Sequence, residues 1–120
     1  MKRILVADDS KTVSTLVSTA LSNEGYSVTT VSNGVSALSV GSEQPFDLAI
    51  LDQLMPGMLG MEVLEKWKSD GLDFPVMILS SVDDETTIID CLHKGAVDFV
   101  RKPFLIKELT ARVNLALLKG

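Results

Sequence analysis

Asp8 and Asp9, Asp52, Ser80 and Lys102 lie far apart in the chain, yet each stands at or just past the end of a short, largely aliphatic run. The runs are residues 4–7, 48–51, 76–79 and 97–100. The first three are continuously apolar, as expected of strands covered on both faces. In a parallel sheet every strand ends at the same edge, and open α/β sheets bind ligands there. Asp8, Asp9, Asp52, a hydroxyl from the Ser80-Ser81 strand end, and the Lys102 ammonium would then share one crevice. Two like charges ~4 Å apart repel by roughly 4 kcal/mol at an effective dielectric of 20. Lys102 alone cannot balance three acids, but a divalent cation can. The donors are oxygens, with no Cys or His nearby in sequence, so a hard ion is expected. Mg²⁺ fits best, because it needs few carboxylates and keeps several waters.

A carboxylate in such a crevice can act as a nucleophile and form an aspartyl-phosphate. Phosphoryl transfer needs little from a protein beyond positioning and charge neutralisation. A metal ion and an ammonium on the phosphoryl oxygens would supply the second, and a hydroxyl such as that of Ser80 could donate to one of them. The competing reading is that each acid only caps a helix or solvates a loop. Lys102 precedes Pro103, and an X-Pro bond is the one place where a cis peptide costs only about 0.5–1 kcal/mol. A cis bond there would turn Lys102 into the crevice.

The elements that must position these residues are legible as an alternation. A fifth run, residues 28–31, is more mixed than the others, as is 97–100, and both suit edge strands. Helical patterns lie between the runs. Val13, Leu16, Val17, Ala20 and Leu21 share one helical face, and Gly25 follows as a stop. The second helix is expected from Asn33 to Val40, closed by Gly41. The third runs from Gly60 to Ser69, with Val63, Leu64 and Trp67 inward. The fourth spans Asp84 to Lys94 and is closed by Gly95. The fifth spans Leu105 to Leu118, with Ile106, Leu109, Val113, Ala116 and Leu117 on one face. Five β-α units predict a single doubly wound α/β domain over residues 1–120, with one parallel five-stranded sheet between two helical layers. The fourth helix, built on "TTIIDCL", is the weakest by propensity, since Thr and Ile lose side-chain freedom in a helix.

Composition narrows the function classes. The chain has 120 residues, 46% hydrophobic and 22% charged, with a net charge of −5, which describes a globular domain. No apolar run approaches the roughly 18–20 residues of a membrane span, and the start "MKRILVADD" is not a signal peptide. One cysteine, Cys91, permits no internal disulfide and fits a reducing cytoplasm. An acidic chain without a basic cluster argues against direct nucleic-acid binding. Cys91, Trp67 and Tyr26 read as packing residues, and His93 as a helix-end residue favoured by the macrodipole.

The segments "ILVADDS", "DLAILDQLMPGMLG", "PVMILSS" and "GAVDFVRKPF" occur in this order along essentially the whole chain. As a set they resemble the receiver domain of bacterial response regulators, the chemotaxis-type regulator family of two-component and phosphorelay signalling. The resemblance implies a flavodoxin-like sheet of order 2-1-3-4-5. It implies that Asp52 is the phosphorylated residue, with Mg²⁺ held by Asp9 directly, Asp8 through water, Asp52, and the backbone carbonyl of Leu54. Ser80 would close on the phosphoryl group and Lys102 would pair with it. Phe99 would be the aromatic switch, and the fourth helix, fifth strand and fifth helix would form the signalling surface. The implied phosphodonor is a sensor histidine kinase or a His-containing phosphotransfer protein. The implied recipient is an output domain or target protein, with a phosphorylation-dependent homodimer also open. The domain would be no enzyme beyond its own aspartyl phosphorylation and dephosphorylation.

Some residues depart from the pattern. Gln53 stands where the family is usually aliphatic, and nothing in the sequence explains it. Leu59 stands where an acid would cap the third helix, and losing such a cap costs roughly 0.5–2 kcal/mol. Ser81 replaces a usual alanine, and Phe99 lacks the hydroxyl of a tyrosine. Leu54 and Val82, which flank the site in this family, are apolar, so attacking water would be poorly held and the phosphoryl state long-lived. Two other classes compete with this reading. One is a pseudo-receiver that only binds proteins, against which the intact acids, Ser80 and Lys102 argue. The other is an aspartyl phosphatase of haloacid-dehalogenase type, which would want a second acid two residues after Asp52, where Leu54 stands. A flavodoxin-type carrier would want a first loop rich in Ser, Thr and Gly, whereas "ADDSKT" has acids.

Overall fold

The computed structural model describes residues 1–81 and 84–119. Among them strands and helices alternate: β1 Arg3–Ala7, α1 Lys11–Asn23, β2 Ser27–Val31, α2 Gly34–Glu43, β3 Leu48–Asp52, α3 Gly60–Ser69, β4 Val76–Ser80, α4 Glu85–His93, β5 Asp98–Arg101 and α5 Ile106–Lys119. All strand pairings are parallel and the order is β2-β1-β3-β4-β5. The two mixed runs are the edges, and the apolar ones lie inside, with every residue of β3 and β4 buried. No helix among the described residues is long and apolar enough to cross a membrane.

Strand alternation divides the core between the two faces of the sheet. Leu48 and Ile50 of β3 pack with Val17, Leu21, Leu109 and Val113, beneath α1 and α5. Ala49 and Leu51 pack with Ala37, Val63, Leu64, Trp67 and Cys91, beneath α2, α3 and α4. The expected inward faces of α3 and α5 are those observed. In α1 the stripe is narrower than expected. Val17 and Leu21 are buried, but Leu16 sits at its rim, 47% exposed. Asn33 and Asp84 act as N-caps, accepting from the backbone N–H of Ser36 and Thr87 at 2.8 Å each, so α2 and α4 begin one residue later than expected. Tyr26 donates its hydroxyl hydrogen to Asn114, tying the end of α1 to α5.

Gly41 does not end α2. The helix continues to Glu43, and Gly41 is buried within it. A glycine is required there by a close approach rather than a turn, because a Cβ at this position would lie 2.2 Å from Cζ2 of Trp67. The indole packs on the bare backbone of α2 and donates its N–H to the Leu38 carbonyl at 3.2 Å. Its ring meets Phe74 edge-on at 5.0 Å between centroids.

Gly41→Ala gains about 0.8–1.0 kcal/mol of helix propensity. It also forces the indole to shift, and overpacking typically costs about 1–3 kcal/mol. The variant is therefore expected to melt below the parent, and the deficit should vanish or reverse in a Trp67→Leu background, as a double-mutant cycle by thermal melting would read. Helix α4 buries only Cys91 fully. Its backbone amides are expected to exchange faster than those of α5, and equal, strong protection across residues 86–94 would contradict this.

Candidate functional site

Strand β1 delivers Asp8 to the sheet edge as a buried side chain, 2% exposed. Its backbone N–H donates to the Val31 carbonyl at 3.1 Å. One of its carboxylate oxygens accepts from the Ser10 backbone N–H at 2.8 Å. Ser10 in turn caps α1, its hydroxyl accepting from the Val13 N–H at 3.3 Å. The acid is thus fixed by the turn that starts the helix. Asp9, next to it, is exposed.

Asp52 closes β3 opposite Leu79 and is 5% exposed. Ser80 follows Leu79, buried, in register with Arg101, and its carbonyl accepts from the Lys102 N–H at 2.8 Å. The Lys102-Pro103 bond is cis, as the sequence allowed. The Lys102 ammonium lies 2.9 Å from one Asp8 oxygen and 3.3 Å from one Asp52 oxygen. Carboxylate oxygens of Asp8, Asp9 and Asp52 all fall within 4.8 Å of one another. Asp8, Asp9, Asp52 and Lys102 therefore converge at the sheet edge. Burial, then the Asp8 charge, raises the Asp52 pKa to about 6, although Lys102 opposes the shift. For Lys102, burial works against the charged form, but the Asp8 and Asp52 carboxylates outweigh it and hold its pKa above the ordinary lysine value.

This all-oxygen cluster fits a hard divalent cation. Both Asp8 oxygens already accept hydrogen bonds, which suits contact through water better than direct ligation. Leu54 is 53% exposed beside Asp52. Val82, the other apolar residue expected to flank the site, lies outside the described residues. Ser81 is exposed at the end of β4. Phe99 is half-buried, packing towards the α2-α3-α4 side of the sheet. It also lines a groove of about 590 Å³ with Ile88, Phe104 and Leu105 between α4, β5 and α5.

The residue that sequence reasoning left without a role is Gln53. Its side chain is buried, and its amide oxygen accepts from the Met61 backbone N–H at 2.8 Å, in the first turn of α3. Leu59, at the N-cap of that helix, offers no acceptor, although its own N–H is taken by Glu62 at 2.8 Å. A polar residue six positions before an absent cap was the available signal. Gly60 allows the close approach, since a Cβ there would lie 2.7 Å from the Asp52 carbonyl oxygen.

The family model for the response regulator receiver domain matches residues 4–114. The chain belongs to this family. It is 37% identical over 114 residues to the uncharacterized transcriptional regulatory protein YkoG of Bacillus subtilis, covering 95% of this chain and 50% of that protein. It is also 37% identical over 116 residues to the alkaline phosphatase synthesis transcriptional regulatory protein PhoP of the same organism, covering 97% of this chain and 48% of the relative. The receiver domain thus spans about half the length of these curated relatives. Among solved structures, the receiver domain of Francisella response regulator 1452 superposes with a TM-score of 0.95 at 31% identity, over 99% of this chain and 98% of that one. The fold and family expected from the motifs are those found.

The pH dependence of the metal-free receiver domain follows from Asp52. An acid whose folded pKa is raised stabilises the fold most when neutral. That contribution is complete below the unfolded value near 3.8 and is lost as pH rises through about 6. Metal-free Asp52→Asn is expected to melt above the parent at pH 8, with the gap closing towards pH 4. A gap independent of pH would contradict the assignment.

Proposed function

We propose that this receiver domain accepts a phosphoryl group on Asp52 from a phosphohistidine of a sensor kinase or His-containing phosphotransfer protein, in a Mg²⁺-dependent reaction. The observation that carries the reading is the Lys102 ammonium set between Asp8 and Asp52, with carboxylate oxygens of Asp8, Asp9 and Asp52 inside 4.8 Å. Asp8, Asp9, Asp52 and the Leu54 carbonyl would hold the Mg²⁺. When bound, the ion neutralises the carboxylates and the phosphoryl oxygens.

An Asp52 carboxylate oxygen attacks phosphorus. The P–O bond forms as the P–N bond breaks, and the imidazole leaves neutral, its proton on the other ring nitrogen. Lys102 moves from the free carboxylate to a phosphoryl oxygen, and the Ser80 hydroxyl donates to another. Phe99 and the groove between α4, β5 and α5 would carry the change to an output domain or target protein. That face is also where phosphorylated copies would pair. The domain acts only on its own aspartate and turns over no separate substrate.

Incubation with acetyl phosphate and Mg²⁺ should add one phosphoryl mass to the intact protein. Asp52→Asn should abolish the adduct, and Lys102→Ala should slow its formation by about 10²-fold or more. The adduct should decay slowly, because the Leu54 side chain offers attacking water no hydrogen bond. A folded, Mg²⁺-binding protein without the adduct would indicate a protein-binding module instead. Turnover of many phosphoester molecules would indicate a phosphatase.

A further inference from the structure

We propose that Gln53 is a positioning residue for this site, capping α3 from the end of β3 and so fixing the loop that carries the Leu54 carbonyl. The inference rests on the phosphoacceptor reading above and deepens it. The opening N–H groups of a helix have no partner within it, and Leu59 cannot accept. Gln53 takes two of them: its backbone carbonyl accepts from Gly60 N–H at 2.9 Å, and its side-chain oxygen accepts from Met61 N–H at 2.8 Å. Its own N–H donates to the Leu79 carbonyl of β4 at 2.8 Å.

One residue, next to Asp52, therefore closes residues 54–59 into a ring and anchors that ring to the central sheet. A second tether holds the ring from outside, where the Gly34 N–H at the start of α2 donates to the Pro56 carbonyl at 3.1 Å. Gln53 is only 4% exposed, so water does not readily replace its amide. With the amide removed, the first turn of α3 loses its acceptor and the ring loses its inner fixing point. The Leu54 carbonyl and the Asp52 backbone, both covalently joined to Gln53 or one residue away, lose their setting with it. Partners that orient metal ligands typically matter by 10–100-fold in affinity.

The test compares Gln53→Leu with Val113→Ala, a core substitution on the opposite face of the sheet, by melting, Mg²⁺ titration calorimetry and the rate of phosphorylation by acetyl phosphate. Gln53→Leu should weaken Mg²⁺ binding about tenfold or more and slow phosphorylation, whereas Val113→Ala should lower the melting temperature alone. Adding Leu59→Asp to Gln53→Leu restores a cap from the helix side and should recover most of the Mg²⁺ affinity. Gln53→Asn, which withdraws the oxygen by one methylene, should weaken Mg²⁺ binding as well, and it serves if the leucine variant does not fold. Mg²⁺ affinity and rate at the parental level in a folded Gln53 variant would overturn the proposal. A parent protein that forms no Mg²⁺-dependent adduct would instead overturn the phosphoacceptor reading itself.

Discussion

Three carboxylates are gathered at one sheet edge, and their mutual repulsion is the constraint around which the site is organised. Lys102 offsets part of it by lying against both Asp8 and Asp52. Burial first, and then the Asp8 charge, still raise the Asp52 pKa to about 6 against the pull of Lys102. A cluster left with excess negative charge has an affinity for a cation built into it.

Such a cluster stays together only if the backbone beneath it cannot relax. The central strands β1, β3 and β4 are buried along nearly their whole length, so the acids cannot separate without disturbing the core. The turn after β1 is held by Asp8 on Ser10 and by Ser10 on Val13. The longer connection after β3 lacks a side-chain cap at Leu59, and Gln53 compensates from the strand end. Behind that connection, Trp67 locks α3 against the bare backbone of α2 at Gly41. The site thus sits on a stiff side of the molecule. Helix α4, with Cys91 as its only fully buried residue, is held by fewer core anchors.

Much of this was legible in the sequence. The apolar runs and helical stripes specify an alternating α/β chain, and parallel strands must end at one edge, so Asp8, Asp9, Asp52, Ser80 and Lys102 could be grouped without knowing a distance. The misreadings were local. Gly41 looked like a stop because glycine is a poor helix former, but the indole that requires it comes from a residue 26 positions later in the chain. Leu16 fits the helical period of α1 and is half exposed, since period alone does not say how wide a stripe the sheet will cover.

By itself the sequence determined which residues meet, because hydrophobic periodicity and the geometry of parallel sheets act on every strand alike. The tertiary structure decided what those residues do to one another. It placed Lys102 between two particular carboxylates, left Asp9 exposed while burying Asp8, and turned Gln53 from an unexplained polar residue into the cap of a helix that begins seven residues away. Each of these is a distance between side chains or backbone groups on different elements. Such distances arise only when the elements pack, and no local pattern encodes them.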